Sequence, residues 1–126
     1  MATPLHNASW NGHIDAMQLL IGAGADINAT NRQRWTPLLC ASNNGRIDAV
    51  RLLINAGADI NKKECMGWTH LHGASDQGHT AAMQLLIDAG ADVNEKDKLG
   101  CTPLHYALLN KHTDAIQLLE SYGARE

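Results

Sequence analysis

The sequence predicts an all-α solenoid of four helix-turn-helix units joined by short β-hairpin or turn connections. Three observations predict it. The first is internal repetition. Thr3-Pro4-Leu5-His6 returns as Thr36-Pro37-Leu38-Leu39, Thr69-His70-Leu71-His72 and Thr102-Pro103-Leu104-His105, each Thr 33 residues after the last. A fixed period of this size marks a stacked array of small units. The second is that other positions keep the same phase: Ala8, Ala41, Ala74 and Ala107, the Leu-Leu pairs beginning at Leu19, Leu52, Leu85 and Leu118, and the Gly-Ala pairs beginning at Gly24, Gly57, Gly90 and Gly123. The third is composition: the chain is 44% hydrophobic but only 4% aromatic, with no Phe. A conventional core of this size draws area from large aromatic rings, whereas an interior of Leu, Ile, Ala, Val and Met suits thin layers stacked on one another.

Each element of the unit has a local cause. Thr3 is placed to cap a first helix and Pro4 fits the first helical position, where its missing N–H would have no partner anyway. At the equivalent position His70 gives up the fixed φ of proline without breaking the helix. The first helix is expected to end near Gly12, and a second to start near Ile14. Asp15, Asp48 and Asp114 then lie at the positive end of second-helix dipoles. Ile14, Met17, Leu20 and Ile21 fall on one face at helical spacing, and Gly24 ends the helix by taking a left-handed conformation. The Gly-Ala-Asp-x-Asn stretch and the polar residues up to Trp35 read as an extended turn, with Asn28, Asn61 and Asn94 as turn hydrogen-bonders.

At these residues the chain resembles the ankyrin repeat family, whose 33-residue unit carries T-P-L-H-x-A. The resemblance spans residues 3 to 126, with repeats at 3–35, 36–68, 69–101 and 102–126 forming one domain. Departures are Leu39 for the motif His, His70 for the motif Pro, Lys111 for the Gly at 12, 45 and 78, and Arg34 where Gly67 and Gly100 stand later. The resemblance implies that the motif His residues hydrogen-bond between neighbouring units, and that first helices and hairpins line a concave groove that grips partners. Residue size gives the same curvature: first helices carry Ala8-Ser9, Ala41-Ser42 and Ala74-Ser75, second helices Leu-Leu and Ile. A stack tighter on one side bends toward that side. Glu120 stands where other second helices have Ile21, Ile54 and Ile87, so residues 102–126 read as a C-terminal cap, unless that position faces solvent in every copy.

The chemistry of an enzyme is missing from the pattern. There is no G-x-S-x-G, no phosphate-cradling G-x-x-x-x-G-K-[ST] and no H-E-x-x-H, so no catalytic role is expected. Seven His raise a metal hypothesis, but His6, His72 and His105, like His13, His79 and His112, are equivalent repeat positions spread along a stack rather than converging ligands. No metal and no cofactor are expected. Cys40, Cys65 and Cys101 form neither a disulfide framework nor a zinc spacing. Cys40 reads as a packed first-helix residue, and Cys65 and Cys101 as exposed hairpin thiols. A net charge of −3 carries no polybasic footprint for nucleic acid or membrane. With no apolar run of membrane-spanning length and no secretory pattern at Met1–Pro4, the expected setting is the cytoplasm, with the nucleus also compatible, and the expected state a monomer.

Function is then expected where the repeats differ. The variable hairpin and first-helix positions are Trp10, Asn11, Arg32, Gln33, Trp35, Asn43, Asn44, Cys65, Met66, Trp68, Asp76 and Gln77. All three Trp fall among them, and Trp is the residue most enriched at binding hot spots. The main expectation is a protein-binding module using this surface, with Trp35→Ala and Trp68→Ala each weakening partner binding by about 2 kcal/mol or more while sparing the fold. The competing reading of each ring is packing against the adjacent hairpin with only an edge exposed. A second function class is small-ligand or single-stranded nucleic-acid binding, with Trp rings stacking on bases and Arg or Lys on phosphates.

Overall fold

The computed structural model describes residues 2–126, and among them are eight helices and no strand. They form four antiparallel pairs: α1 (Pro4–Asn11) with α2 (Ile14–Gly22), α3 (Pro37–Asn43) with α4 (Ile47–Asn55), α5 (His70–Gln77) with α6 (Thr80–Asp88), and α7 (Pro103–Leu109) with α8 (Thr113–Ser121). Each first helix starts as the sequence predicts. Thr3, Thr36, Thr69 and Thr102 are extended N-caps whose hydroxyls accept the third helical N–H. Gly12 and Gly78 end α1 and α5 in the left-handed region. Gly24, at φ +92°, lets the Ala25 N–H reach back to the Leu20 carbonyl at 3.0 Å.

One core runs through the stack, led by Leu5, Met17, Leu38, Leu53, Leu71, Met83, Leu86 and Leu119, each with 1% or less of its surface exposed. Buried Ala8, Ala41, Ala74 and Ala107 let first helices approach closely, and they pack on one another more intimately than second helices do. The array therefore bends toward the first helices. Ile21, Ile54 and Ile87 are half-buried against the core, whereas Glu120 is exposed, so this position is apolar where another pair covers it.

The connections are tight turns rather than strand-built hairpins. Two backbone bonds close each: Asn31 N–H to the Trp35 carbonyl (3.1 Å) with Arg34 N–H to the Asn31 carbonyl (3.0 Å), Glu64 to Trp68 (2.9 Å) with Gly67 to Glu64 (2.9 Å), and Asp97 to Cys101 (2.9 Å) with Gly100 to Asp97 (3.0 Å). Consecutive tips are joined by Cys65 N–H to the Gln33 carbonyl (3.0 Å) and Lys98 N–H to the Met66 carbonyl (2.9 Å). The asparagine expectation needs correction. The local turn bond comes from aspartate, with Asp26, Asp59 and Asp92 accepting from the amides of Asn28, Asn61 and Asn94. Asn28 and Asn94 instead reach onward, accepting from Asp59 N–H and Arg125 N–H, both at 2.8 Å. They clasp one unit to the next.

Two departures from glycine keep the glycine backbone. Arg34 and Lys111 sit at φ +64° and +58°, the only positive-φ residues other than glycine among those described. At Gly45 and Gly78 a Cβ would lie 2.6 Å from the ring of His79 or His112 in the next unit. Lys111 is exposed, with no such ring against it among the described residues, so a side chain fits there and only the backbone is strained. Lys111→Gly is expected to raise stability by about 1 kcal/mol by relieving that strain, read as a higher urea midpoint at unchanged slope. A lower midpoint would sink this account.

Candidate functional site

The inner face of the stack is built by hairpin tips and the ends of first helices. Every tip is held by the side chain at its first position. Asn31 Oδ1 accepts from Gln33 and Trp35 N–H (3.0 and 2.9 Å), Glu64 Oε1 from Met66 and Trp68 N–H (2.6 and 3.0 Å), and Asp97 Oδ1 from Leu99 and Cys101 N–H (both 2.9 Å). Glu64 and Asp97 look in sequence like charges offsetting nearby lysines. Their positions in the period, shared with Asn31, are the signal that they are structural. Tips fixed this way present residues 32–33, 65–66 and 98–99 outward, and Arg32, Gln33, Cys65, Met66, Lys98 and Leu99 are all exposed.

Motif histidines brace the face from behind. His6 Nδ1 accepts from the Thr3 N–H (3.1 Å) and hydroxyl (2.8 Å), so the proton sits on Nε2, which donates to the Trp35 carbonyl at 2.8 Å. His72 does the same with Thr69 and the Cys101 carbonyl. The expected bonds between neighbouring units are present at both. Burial holds the His72 pKa below the usual imidazole range, against the pull of its bond to the Cys101 carbonyl and nearby carboxylates. Leu39 cannot make such a bond, and a different imidazole compensates. His70, 1% exposed, donates from Nδ1 to the Ile60 carbonyl (2.9 Å) and accepts the Thr36 hydroxyl on Nε2 (2.8 Å). Sequence gives no local hint of this bridge, because it joins residues 34 apart.

A second set of braces ties first-helix ends to the following second helix. The Trp10 carbonyl accepts from Asn44 Nδ2 (3.0 Å) and Arg46 Nε (3.1 Å), and the Asp76 carbonyl from Asn110 Nδ2 (3.0 Å) and His112 Nε2 (2.9 Å). Asn44 and Asp76 are thereby engaged within the stack. Asn11 is exposed and donates to the Asn7 carbonyl, Gln77 is exposed and donates to Asp76, and Asn43 is half-buried.

The three Trp divide into two environments. Trp10 is 41% exposed and Trp35 half-buried, with ring centroids 6.1 Å apart and planes at 40°. With His6, Asn7, Asn31, Gln33, Ala2 and Cys40 they border a pocket of about 250 Å³. Trp68 belongs elsewhere. Its ring meets Tyr106 edge-on at 4.9 Å and stacks on His72 at 6.2 Å, and its indole N–H donates to Asp97 Oδ2 at 3.2 Å. The Tyr106 hydroxyl donates to the same carboxylate oxygen. Burial opposes the charge on Asp97, but the bonds from Tyr106 and the Cys101 and Leu99 amides outweigh it and hold the carboxyl below its ordinary range. Trp68→Ala is therefore expected to cost stability as well as surface: it strips a ring from this cluster and one partner from a buried carboxylate. Trp35 and Trp68 are sequence equivalents, yet Trp35 has Gly73 where Trp68 has Tyr106, one period on.

Two further exposed apolar residues stand on the same face: Leu109 at the end of α7, 65% exposed, at a variable first-helix position equivalent to Trp10, and Leu99 at the third tip, 72% exposed, which sequence did not single out. The signal for Leu99 was phase, since it follows Gln33 and Met66 at the same interval. Among the cysteines Cys40 is buried, which pushes its thiol up to about 11, and Cys65 is exposed. Cys101 is half-buried under the third turn, not the exposed thiol expected. Among the described residues no group of three or more His, Cys, Asp or Glu is placed to hold a metal ion, and no helix is long and apolar enough to cross a membrane.

A family model described as ankyrin repeats (3 copies) matches residues 5–97 and again 62–125. No curated protein matches the chain significantly.

Proposed function

The chain belongs to the ankyrin repeat family, whose repeats generally mediate protein–protein interaction, and on that basis we propose that it is a non-catalytic module gripping a partner protein on its concave face. The module is a single domain of four repeats, 3–35, 36–68, 69–101 and 102–126, acting as a monomer in the cytoplasm or nucleus. The observation that carries this reading is that four of the six large exposed apolar side chains among the described residues, Trp10, Met66, Leu99 and Leu109, stand on hairpin tips and first-helix ends, while the other two, Leu19 and Tyr122, stand on second helices or their ends. Single exposed apolar residues are ordinary on any surface, but a row on one face marks a contact site. The tips are fixed by side-chain and backbone bonds before any partner arrives, so little ordering is lost on binding.

Trp10 and Met66 replace Trp35 and Trp68 as the best test, since both protrude without holding the fold together. Affinity capture from native cells supplies the partner, and calorimetry with that partner then compares the wild type with Trp10→Ala/Met66→Ala. The double variant is expected to lose about 2 kcal/mol or more of binding free energy while melting in one cooperative transition like the wild type. Full affinity in the double variant would refute the concave-face assignment, and a broad multi-step melt of the wild type would refute the single domain. Single-stranded nucleic acid is the weaker reading. It needs successive open stacking platforms, and Trp68 is already covered by Tyr106.

A further inference from the structure

Resting on the concave-face reading and deepening it, we propose that the Trp10–Trp35 pocket takes an apolar side chain from an acidic peptide segment, whose carboxylates meet Arg32 and Arg34. Pocket size selects the kind of occupant. At about 250 Å³ it falls below the roughly 300–1,000 Å³ of small-molecule sites, yet it can hold one large side chain. Its walls are two indole rings tilted at 40°, a cleft that an inserted aliphatic or aromatic group fills from the side.

Charge selects the kind of segment. The chain carries −3 overall, but the first hairpin holds Arg32 and Arg34 and no acid between Ala29 and Trp35. The second hairpin is closer to balance, with Lys62 and Lys63 against Glu64, and the third is balanced, with Glu95 and Asp97 against Lys96 and Lys98. The positive end of the face is thus the end with the pocket. The ion pairs found among the described residues, Arg51 with Asp48 and Lys63 with Glu95, leave both arginines without a carboxylate partner. The residues bordering the pocket include no Asp or Glu. Arg32 and Arg34 are both exposed and are the immediate chain neighbours of the pocket-lining Asn31, Gln33 and Trp35, so both charges stand on the hairpin that borders the cleft. Arginine binds carboxylates through a planar fork of donors. Of the three indoles only Trp68 has its N–H bonded within the described structure, which leaves those of Trp10 and Trp35 to donate to a peptide carbonyl.

The test uses three fluorescein-labelled heptapeptides on the whole chain: an acidic one with a central Leu (Asp-Glu-Glu-Leu-Glu-Asp-Glu), the same with central Ser, and a Lys-rich one keeping the Leu. The acidic Leu peptide is expected to bind about tenfold or more tighter than either control, and to weaken as salt rises. Arg32→Glu/Arg34→Glu and Trp10→Ala are each expected to weaken it about tenfold. In wild-type amide spectra its binding should shift the indole N–H signals of Trp10 and Trp35 and leave that of Trp68 in place, a readout that needs no variant to fold. Equal binding of all three peptides would overturn the proposal, as would tighter binding of an oligothymidine than of the acidic peptide. Shifts confined to Met66 and Leu99 would overturn the pocket and leave the concave face standing. A captured partner whose binding shifts none of these signals would remove both.

Discussion

Replacing Asp97 with Ala is expected to lower the stability of the chain by about 3 kcal/mol, more than any surface change discussed above. The carboxylate is 7% exposed and satisfies four donors. Oδ1 holds the Leu99 and Cys101 amides, and Oδ2 takes the Trp68 indole and the Tyr106 hydroxyl. Hydrogen bonds to a charged group are each worth about 1.5–3 kcal/mol. They do not add, because the exposed Leu99 end of the turn can turn to water. The buried end cannot: Trp68 N–H would face the alanine methyl with no acceptor. Asp97→Asn separates the two ends of the carboxylate. Its oxygen can still hold both amides, as Asn31 does in the first hairpin, but its NH₂ meets the indole N–H, so a smaller loss of about 1 kcal/mol is expected. Urea unfolding at neutral pH checks both. With slopes of about 1–3 kcal/mol/M, the Ala variant should unfold at least about 1 M earlier, and the Asn variant should lie between it and the wild type. An Ala variant within about 0.5 kcal/mol of wild type, the range of ordinary surface changes, would show that the cluster does not hold the third turn.

Local features of this fold were readable because local residues cause them. Thr3, Pro4 and Gly24 act on backbone groups within a few positions of themselves, so their roles follow from spacing alone. What escaped sequence were contacts across the 33-residue offset, where identical positions meet different neighbours. Trp35 and Trp68 share a place in the repeat and both are half-buried, and Gly73 against Tyr106 decides that only Trp68 is engaged in an aromatic and hydrogen-bonded cluster with the following unit. Asn28 and Asp26 are both good turn formers, and only the packed stack shows that Asp26 closes the turn while Asn28 reaches the next unit. The apolar pocket was legible in part, since Trp10, Gln33 and Trp35 were all candidates. Its closure by His6 and Asn7 required the fold. Leu39 and His70 looked like two independent departures. They are one exchange, in which the imidazole missing at 39 is supplied to Thr36 from the first helix of the next unit.

That exchange makes the second and third units sensitive to acid. His70 is enclosed, and burial outweighs its bond to the Ile60 carbonyl and the nearby Asp59 charge, lowering its pKa to about 4 from the ordinary 6.5. Between these values the unfolded chain holds a proton that the folded chain does not. Stability is therefore complete above about pH 6.5 and falls as pH drops toward 4. At about 1.4 kcal/mol per pKa unit, the loss over that interval is about 3 kcal/mol from His70 alone. His72 and His79, also lowered by burial, act in the same direction. Protonating Nε2 would also turn it from the acceptor of the Thr36 hydroxyl into a donor facing that hydroxyl. Urea midpoints measured from pH 7 to pH 4 should fall steeply, and His70→Pro, which restores the proline of the other units, should flatten that fall. The proline variant has its own cost at pH 7, since Ile60 loses a donor and Thr36 an acceptor. Leu39→His is expected to recover part of it, with its ring taking the Thr36 hydroxyl as His6 takes that of Thr3. The double variant should therefore be more stable than the sum of the two single changes, with an interaction of about 1 kcal/mol or more. Additive effects, or an acid profile unchanged by His70→Pro, would show that the two substitutions are unrelated.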